Sequence, residues 1–474
     1  MLQQQSITKR KKVKVKGHGQ GILQAFLAAI QASVSVLLVI SYGGIAAKLG
    51  LISPDSTKAV SKVCVRVFLP ALLITKIGSE LHSGSGDRYA IIVAWGLLCH
   101  SVSFAIGIFG HLVLKMPDWV TVGVMFNNTA SYPLLLIGAL EETGILSSLI
   151  VGDESTKEAI ERAKAYFLVF STVSSCLTFA VGPRLIDTEH APEHDPESDQ
   201  ESQDEEESTA DLDGANEETG LLNAQQSPVH SLNPFRNDRG FFPSTRNVSK
   251  QRNGMTNGDV LKAQARRASI VPKRKWHKLS PRTKWWLLFI SDFFNAPLVG
   301  AIIGAVIGLS PPLHRAFFSD TQNGGIFTAW LTASLKNIGG LFVPLPVVIA
   351  GVSLYTAYKG TKEKFQGKPL KLPWGTVTYI MVARFVIWPV ASVGIIYLLA
   401  SKTDFLGSDP MLWFTLMLMP CGPPAMKLIT LVQVSDAEDE DEASISKLLM
   451  ISYIISPILS FTVVASLQAA KASI

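Results

Sequence analysis

An asparagine-rich break and a proline-rich break interrupt two otherwise apolar segments of this chain. The first segment reads VTVGVMFNNTASYPLLLIGAL (Val120–Leu140) and gathers Asn127, Asn128, Thr129, Ser131 and Tyr132 just ahead of Pro133. The second reads MLWFTLMLMPCGPPAMKLITLV (Met411–Val432), with Pro420, Pro423 and Pro424 around Gly422, and Lys427 close behind. Their chemistry is that of binding by hydrogen bonds, dipoles and charge. Three prolines remove three backbone donors and force the helix to unwind, and Gly422 permits an unusual backbone conformation there. A helix that restarts after a break offers the partial positive charge of its N-terminus, which favours an anion. Lys427 inside an apolar segment is costly unless it serves a function, such as pairing with a carboxylate or standing in for a bound cation. The blander readings are a proline kink whose polar groups satisfy one another, and a lysine that snorkels to an interface. Asn127 also opens a glycosylation sequon, inaccessible at membrane depth. Hydrocarbon cannot satisfy broken backbone, so such breaks persist where they line a cavity or bind a ligand. A matched pair, one in each half of a chain, points to a transporter's substrate site.

The elements that must position these residues are membrane helices. The chain has 474 residues, of which 47% are hydrophobic and 17% charged, against about 25% charged in a soluble protein. Ten apolar segments of spanning length are read from the sequence: Ile22–Lys48, Thr57–Ile77, Tyr89–Leu114, Val120–Leu140, Ala163–Leu185, Lys284–Leu309, Ile326–Leu354, Trp374–Ala400, Pro410–Val432 and Ile445–Gln468. The first is too long for the core of a signal peptide and is expected to be retained. The expected fold is therefore an all-α polytopic membrane protein. It is divided into a basic arm (1–21), five spans (22–185), a hydrophilic loop (186–283) and five more spans (284–474). The loop is acidic in its first half (ESDQESQDEEESTADLD) and basic in its second, and buries too little apolar surface to fold. The basic runs Lys9–Lys16 and Arg266–Lys284 abut apolar spans, so contact with a membrane surface is expected rather than nucleic acid. All four cysteines, Cys64, Cys99, Cys176 and Cys421, fall in apolar segments without metal-ligand spacing, and are expected to be buried free thiols.

The halves share landmarks in the same order. KLGLISP (Lys48–Pro54) matches VIGLSPP (Val306–Pro312), FLPALLI (Phe68–Ile74) matches FVPLPVVIAG (Phe342–Gly351), and the breaks fall in the fourth and ninth spans. An odd number of spans per half inverts the second, giving an inverted-topology repeat. The basic loops place the central loop in the cytosol and both termini opposite, with the N-terminal arm dissenting. Arg66, Lys76, Asp292, Lys336 and Arg384 are further intramembrane charges. Arg66 and Lys76 lie near span ends where they can snorkel, and Asp292 and Arg384 can pair with each other or with Lys336. His100 reads as a hydrogen-bonded core residue. Gly300, Gly304 and Gly308 allow close helix packing, within the fold or across a dimer. Arg266-Arg267-Ala268-Ser269 is similar to a kinase site in the loop, and the acidic run Asp436–Glu442 reads as a solvated loop.

FLPALL, NNTASYPLLL, FVPLPVV and GPPAMKL, in this order, resemble the auxin efflux carrier family, closest to its PIN-like branch and fungal relatives. The resemblance covers all ten spans and excludes the loop. It implies two inverted five-helix repeats whose broken fourth and ninth helices cross near the bilayer centre. It further implies a scaffold of the first, second, sixth and seventh helices, a mobile remainder and elevator-type movement. Indolic and other organic anions as substrates, dimers, and the endoplasmic reticulum (with the plasma membrane as alternative) follow from the same resemblance. The chain departs from the plant pattern GNTGN-x-P by Asn127 at the first glycine and by Ala130 and Ser131 at the later glycine and asparagine. The asparagine after PPAM is Lys427 here. The added positive charge favours an anion without naming it.

The resulting expectation is a secondary carrier of a small organic anion, with Asn128, Ser131, Pro133, Pro423, Pro424 and Lys427 at the centre of its site and no cofactor. The rival is a membrane receptor or scaffold acting through the loop. HExxH, GxSxG and GxxxxGK[ST] are missing from the sequence, which speaks against a hydrolase or an ATP-driven pump.

Overall fold

The computed structural model describes residues 22–81, 84–150, 154–186, 279–364, 372–428 and 439–474. The expected arm (1–21), nearly all of the hydrophilic loop with its Arg266–Ser269 motif, and 429–438 lie outside the described residues. In chain order the helices are α1 (Ile22–Lys48), α2 (Pro54–Val63), α3 (Leu69–Glu80), α4 (Gly86–Leu112), α5 (Trp119–Met125), α6 (Ser131–Glu142) and α7 (Thr156–Ile186). They continue with α8 (Pro281–Phe293), α9 (Ala296–Leu309), α10 (Pro311–Phe318), α11 (Ala333–Gly340) and α12 (Leu345–Lys364). The last are α13 (Trp374–Val382), α14 (Trp388–Lys402), α15 (Pro410–Leu418), α16 (Asp439–Ile455) and α17 (Leu459–Ala472). The described residues form no extended strand, one isolated bridge apart. The chain divides into two units, 187–292 and the remainder. Within the first, Leu288 is buried beneath Leu279 and Leu287.

Local sequence explains where helices begin and bend. Ser53, Asn295 and Asp409 each accept a hydrogen bond from the first turn of the helix they open, and each precedes a proline at one of its first two positions, a strong start signal. A π turn, Cys64–Phe68, joins α2 to α3, and another, Ala383–Ile387, joins α13 to α14. Each ends two residues before a proline, Pro70 or Pro389. Proline cannot donate to the ladder and its ring crowds the carbonyl four residues back, so the helix widens ahead of it.

Among the described residues six helices are long and apolar enough to cross a membrane, or seven if the bent pair Arg282–Phe293 and Ala296–Leu309 is one span: Ile22–Lys48, Gly86–Leu112, Thr156–Gly182, Thr328–Gly360, Trp374–Lys402 and Ala443–Ala472. The second expected span is helical from Pro54 to Glu80, longer than Thr57–Ile77, but its first turns are polar. The fourth and ninth are interrupted at their expected breaks. Two details differ from expectation. The sixth segment is two helices, because Asn295 caps a new one at Ala296. The seventh carries a tight turn at 341–344, where Leu341, Phe342 and Val343 donate three residues back; Pro344 and Pro346 deny that stretch regular helical bonds.

Glycines set the closest packing. Helix α1 packs along α12, and α9 along α3. A methyl group on Gly43 would lie 1.9 Å from the Val348 carbonyl oxygen, and one on Gly351 would lie 1.9 Å from that of Ile40. Gly300, Gly304 and Gly308 meet the backbone of Pro70, Leu73 and Leu81 in the same way, so this glycine stripe is used inside the fold. Of the six spanning helices α7 is the most enclosed, with 83% of its most apolar window buried against 33% for α1. Conversely α1 exposes Leu23, Leu27, Leu38 and Ile45, and α14 exposes Val390 and Leu398, a surface that a bilayer covers.

Of the two charges expected to snorkel near the ends of the second span, Lys76 is paired. Lys76 on α3 forms an ion pair with Glu161 on α7, whose other oxygen takes Lys164 at 3.0 Å. Arg66 is exposed, as a snorkelling residue would be. The expected acidic loop is in part helical: Asp439 opens α16, and Asp441 accepts the Trp119 indole N–H at 3.1 Å. All four cysteines are buried and free.

Candidate functional site

The two breaks meet. Helix α5 stops at Met125 and α6 restarts at Ser131, and α15 stops at Leu418 before helix resumes at Lys427. Between these ends the chains run antiparallel, with Asn127 opposite Pro424. The Asn128 N–H donates to the Pro423 carbonyl at 3.0 Å, and the Ala425 N–H donates to the Phe126 carbonyl at 2.9 Å. Each break thus supplies backbone partners to the other, where proline had removed them from the helix.

Side chains complete the pairing. The Asn127 amide donates to the carbonyls of Met419 (3.0 Å) and Cys421 (3.1 Å) and is buried, closing the sequon to modification. The Asn128 amide nitrogen donates to the Tyr453 hydroxyl at 2.9 Å, and that hydroxyl reaches the Pro424 carbonyl at 3.4 Å. Asn128 Oδ1 accepts from the Tyr132 N–H at 3.4 Å, in the first turn of α6. Thr129 and Ser131 are buried beside them. Gly422 has φ +126°, a left-handed value that disfavours any side chain. Asn127→Asp keeps the shape but replaces two donated bonds with an acceptor facing two carbonyls. We expect it to cost about 2 kcal/mol or more, read as a lower melting temperature of the purified protein, whereas Asn128→Ala spares the backbone pairing and melts closer to wild type.

Lys427 does not reach an interface. Its ammonium donates to the Ser175 hydroxyl on α7 at 2.9 Å and lies 5.4 Å from the centre of the Phe179 ring, a cation–π arrangement. Pro133 sits in the first turn of α6, where its missing N–H costs little. With Tyr132, Leu136, Phe167, Leu418 and Cys421 it lines a small apolar cavity. Pro420 follows the end of α15, and its carbonyl accepts from Arg384 Nη1 at 3.1 Å. Arg384 is therefore directed at the second break, whereas its charge alone suggested Asp292 or Lys336 as its partner. His100 is a satisfied core histidine, its ring nitrogens 2.7 Å from the Gly96 carbonyl and 3.0 Å from the Ser174 hydroxyl.

Tyr453, Ser175 and Arg384 complete this constellation. The sequence flagged Arg384 by its charge but misassigned its partner. Tyr453 and Ser175 carried no distinguishing signal: Ser175 is one of several hydroxyl residues on α7 (Ser171, Thr172, Ser174, Ser175 and Thr178), and Tyr453 stands beside Ser452 in an otherwise apolar stretch. The geometry suits recognition by hydrogen bonds, helix dipoles and positive charge. Among the described residues no group of three or more His, Cys, Asp or Glu side chains is placed to hold a metal ion.

Comparison with known proteins places most of the chain in one family. A family model described as membrane transport protein matches residues 28–464. An uncharacterized transporter of Schizosaccharomyces pombe is 24% identical over 428 residues, covering 88% of this chain and 90% of its own. An uncharacterized transporter of Saccharomyces cerevisiae is 22% identical over 427 residues, covering 87% and 89%. Protein PIN-LIKES 7 of Arabidopsis thaliana is 26% identical over 156 residues, covering 33% of this chain and 36% of its own. These similarities agree with the resemblance carried by the break motifs.

Proposed function

We propose, since this chain belongs to the membrane transport protein family, that it is a secondary carrier of a small organic anion whose site is the crossing of the two broken segments. The family makes it an integral membrane protein of transporter type. The observation that carries the finer reading is the mutual pairing of Asn127–Asn128 with Pro423–Ala425. It holds the N-terminus of α6 and the restarting helix at Lys427 at one place. The positive end of α6 and an ammonium group there favour an anion. Asn127, Asn128, Thr129, Ser131 and Pro133 form one side of the proposed site; Pro420, Pro423, Pro424 and Lys427 form the other.

Ten spans in two inverted five-helix repeats remain our reading of the architecture. Its support is the packing of α1 on α12 and of α9 on α3. Exchanging first for sixth and second for seventh spans turns one pair into the other, and both pairs meet through glycine against backbone. A scaffold of these four spans with the remainder moving as an elevator is the corresponding mechanism. The endoplasmic reticulum as its membrane, a homodimer, and a kinase acting on the central loop belong to the same proposal.

Flux of labelled organic anions into liposomes holding the purified protein tests the function. A carrier shows saturable flux, and deletion of 187–278 leaves that flux in place. Absent flux for every anion, under an imposed potential or proton gradient and with well-folded protein, favours a receptor acting through the loop.

A further inference from the structure

Arg384 lies in the π turn Ala383–Ile387, a widened turn of the kind found at functional positions. It is 1% exposed. Nη1 is spent on the Pro420 carbonyl at 3.1 Å. Nε and Nη2 are both buried and meet no hydrogen-bond partner among the described residues. These two nitrogens share one edge of the guanidinium plane, and such an edge fits a carboxylate through two parallel N–H···O bonds. The other cation of the second break, Lys427, already engages Ser175 and Phe179.

A buried cation with an unfilled two-donor edge is costly to keep, and an anion seated on that edge removes the cost. The edge is buried in this conformation. The carbonyl that Arg384 holds is followed directly by Cys421, which forms part of the apolar cavity wall with Tyr132 and Pro133. Cation and cavity are thus joined through consecutive residues of the second break.

Resting on the carrier reading above, we propose that Arg384 is a specificity-determining residue: its Nε and Nη2 edge receives the substrate's carboxylate, while Lys427 draws the anion to the break. The residue that selects an acid over a neutral molecule of the same shape is then Arg384.

The test uses full-length protein in liposomes and a panel of labelled acids that includes benzoate and indole acetate. Uptake of the acid carried best is competed with the unlabelled acid and with its primary amide. Wild type is expected to prefer the acid by about tenfold or more, the scale of a desolvated charge pair. In Arg384→Gln the KM for the acid should rise by a similar factor, kcat should change less, and inhibition by the amide should stay as in wild type. Arg384→Lys keeps the charge but loses the planar fork, so its preference should fall between the two. It also carries the test should the glutamine variant not fold. Equal weakening of acid and amide in the variants would make Arg384 a structural tie to Pro420 and overturn the proposal, as would an undiminished preference. A wild type that carries acid and amide alike overturns this role and leaves the carrier reading standing. A wild type that carries none of the acids overturns both.

Discussion

Gly351→Ala should prevent most of the protein from reaching a stable fold. The new methyl group would stand 1.9 Å from the Ile40 carbonyl oxygen and 2.9 Å from its carbon. Both are backbone atoms of α1, so no side-chain rotation relieves the clash and the helices must separate. Overpacking of a tight contact typically costs about 1–3 kcal/mol, and a backbone obstacle puts this case at or above the upper end. Gly43 faces the Val348 carbonyl at the same distance from the other side, so Gly43→Ala should behave alike. Gly394 is the matched control: it lies within α14, and a methyl group there meets nothing within 4 Å. Gly394→Ala should be neutral or gain up to about 1 kcal/mol of helix propensity. Monodisperse yield and melting temperature of the three variants check this. Equal behaviour of Gly351→Ala and Gly394→Ala would mean that α1 and α12 are not in backbone contact.

Asp409→Ala should be comparably damaging for an electrostatic reason. The Asp409 side chain is 5% exposed and pairs with Arg162 at 3.2 Å and with Arg88 at 3.4 Å. It also accepts from the Tyr166 hydroxyl at 3.0 Å and caps α15 through the N–H groups of Met411 and Leu412. One carboxylate thereby joins α4, α7 and the ninth segment. Removing one partner of a buried pair leaves charge behind without compensation, which costs about 3–5 kcal/mol. Arg88 is partly exposed and Arg162 keeps its ion pair with Glu154, so about 3 kcal/mol is expected. Asp409→Asn preserves the cap and should fall between Asp409→Ala and wild type. Thermal unfolding of the purified variants distinguishes these; an Asp409→Ala protein that melts with wild type would show the cluster to be solvated.

Much of this was legible in the sequence because it is written locally. Clustered polar residues ahead of a proline, or clustered prolines around a glycine, mark a break, so both interrupted segments could be located, and their chemistry named, without a structure. Spans of uniform apolar character were equally plain. What was hidden depends on distant partners. Nothing near Asn127 says that its amide will satisfy Met419 and Cys421, nor that the breaks will pair through an antiparallel bridge. Arg384 shows the limit most clearly. Its charge was visible, and a charged partner was the natural expectation, but the group it meets is a backbone carbonyl exposed by Pro420. The FVPLP motif was noticed as a landmark, yet its tight turn was missed because the segment stays apolar throughout. Lys427 stands out by its charge, whereas Ser175 as its partner does not, since it is one of five hydroxyl residues within 171–178 of α7 and nothing local singles it out.

The central claim is that the crossing of the two breaks is where substrate binds, with Lys427 supplying charge. Its most direct test compares wild type and Lys427→Ala in the same liposome flux assay, at matched incorporation and with equal melting temperatures as the check on folding. The account predicts saturable anion flux in wild type that is lost in Lys427→Ala. Undiminished flux with an unchanged KM in the variant would contradict it and move the site away from the crossing.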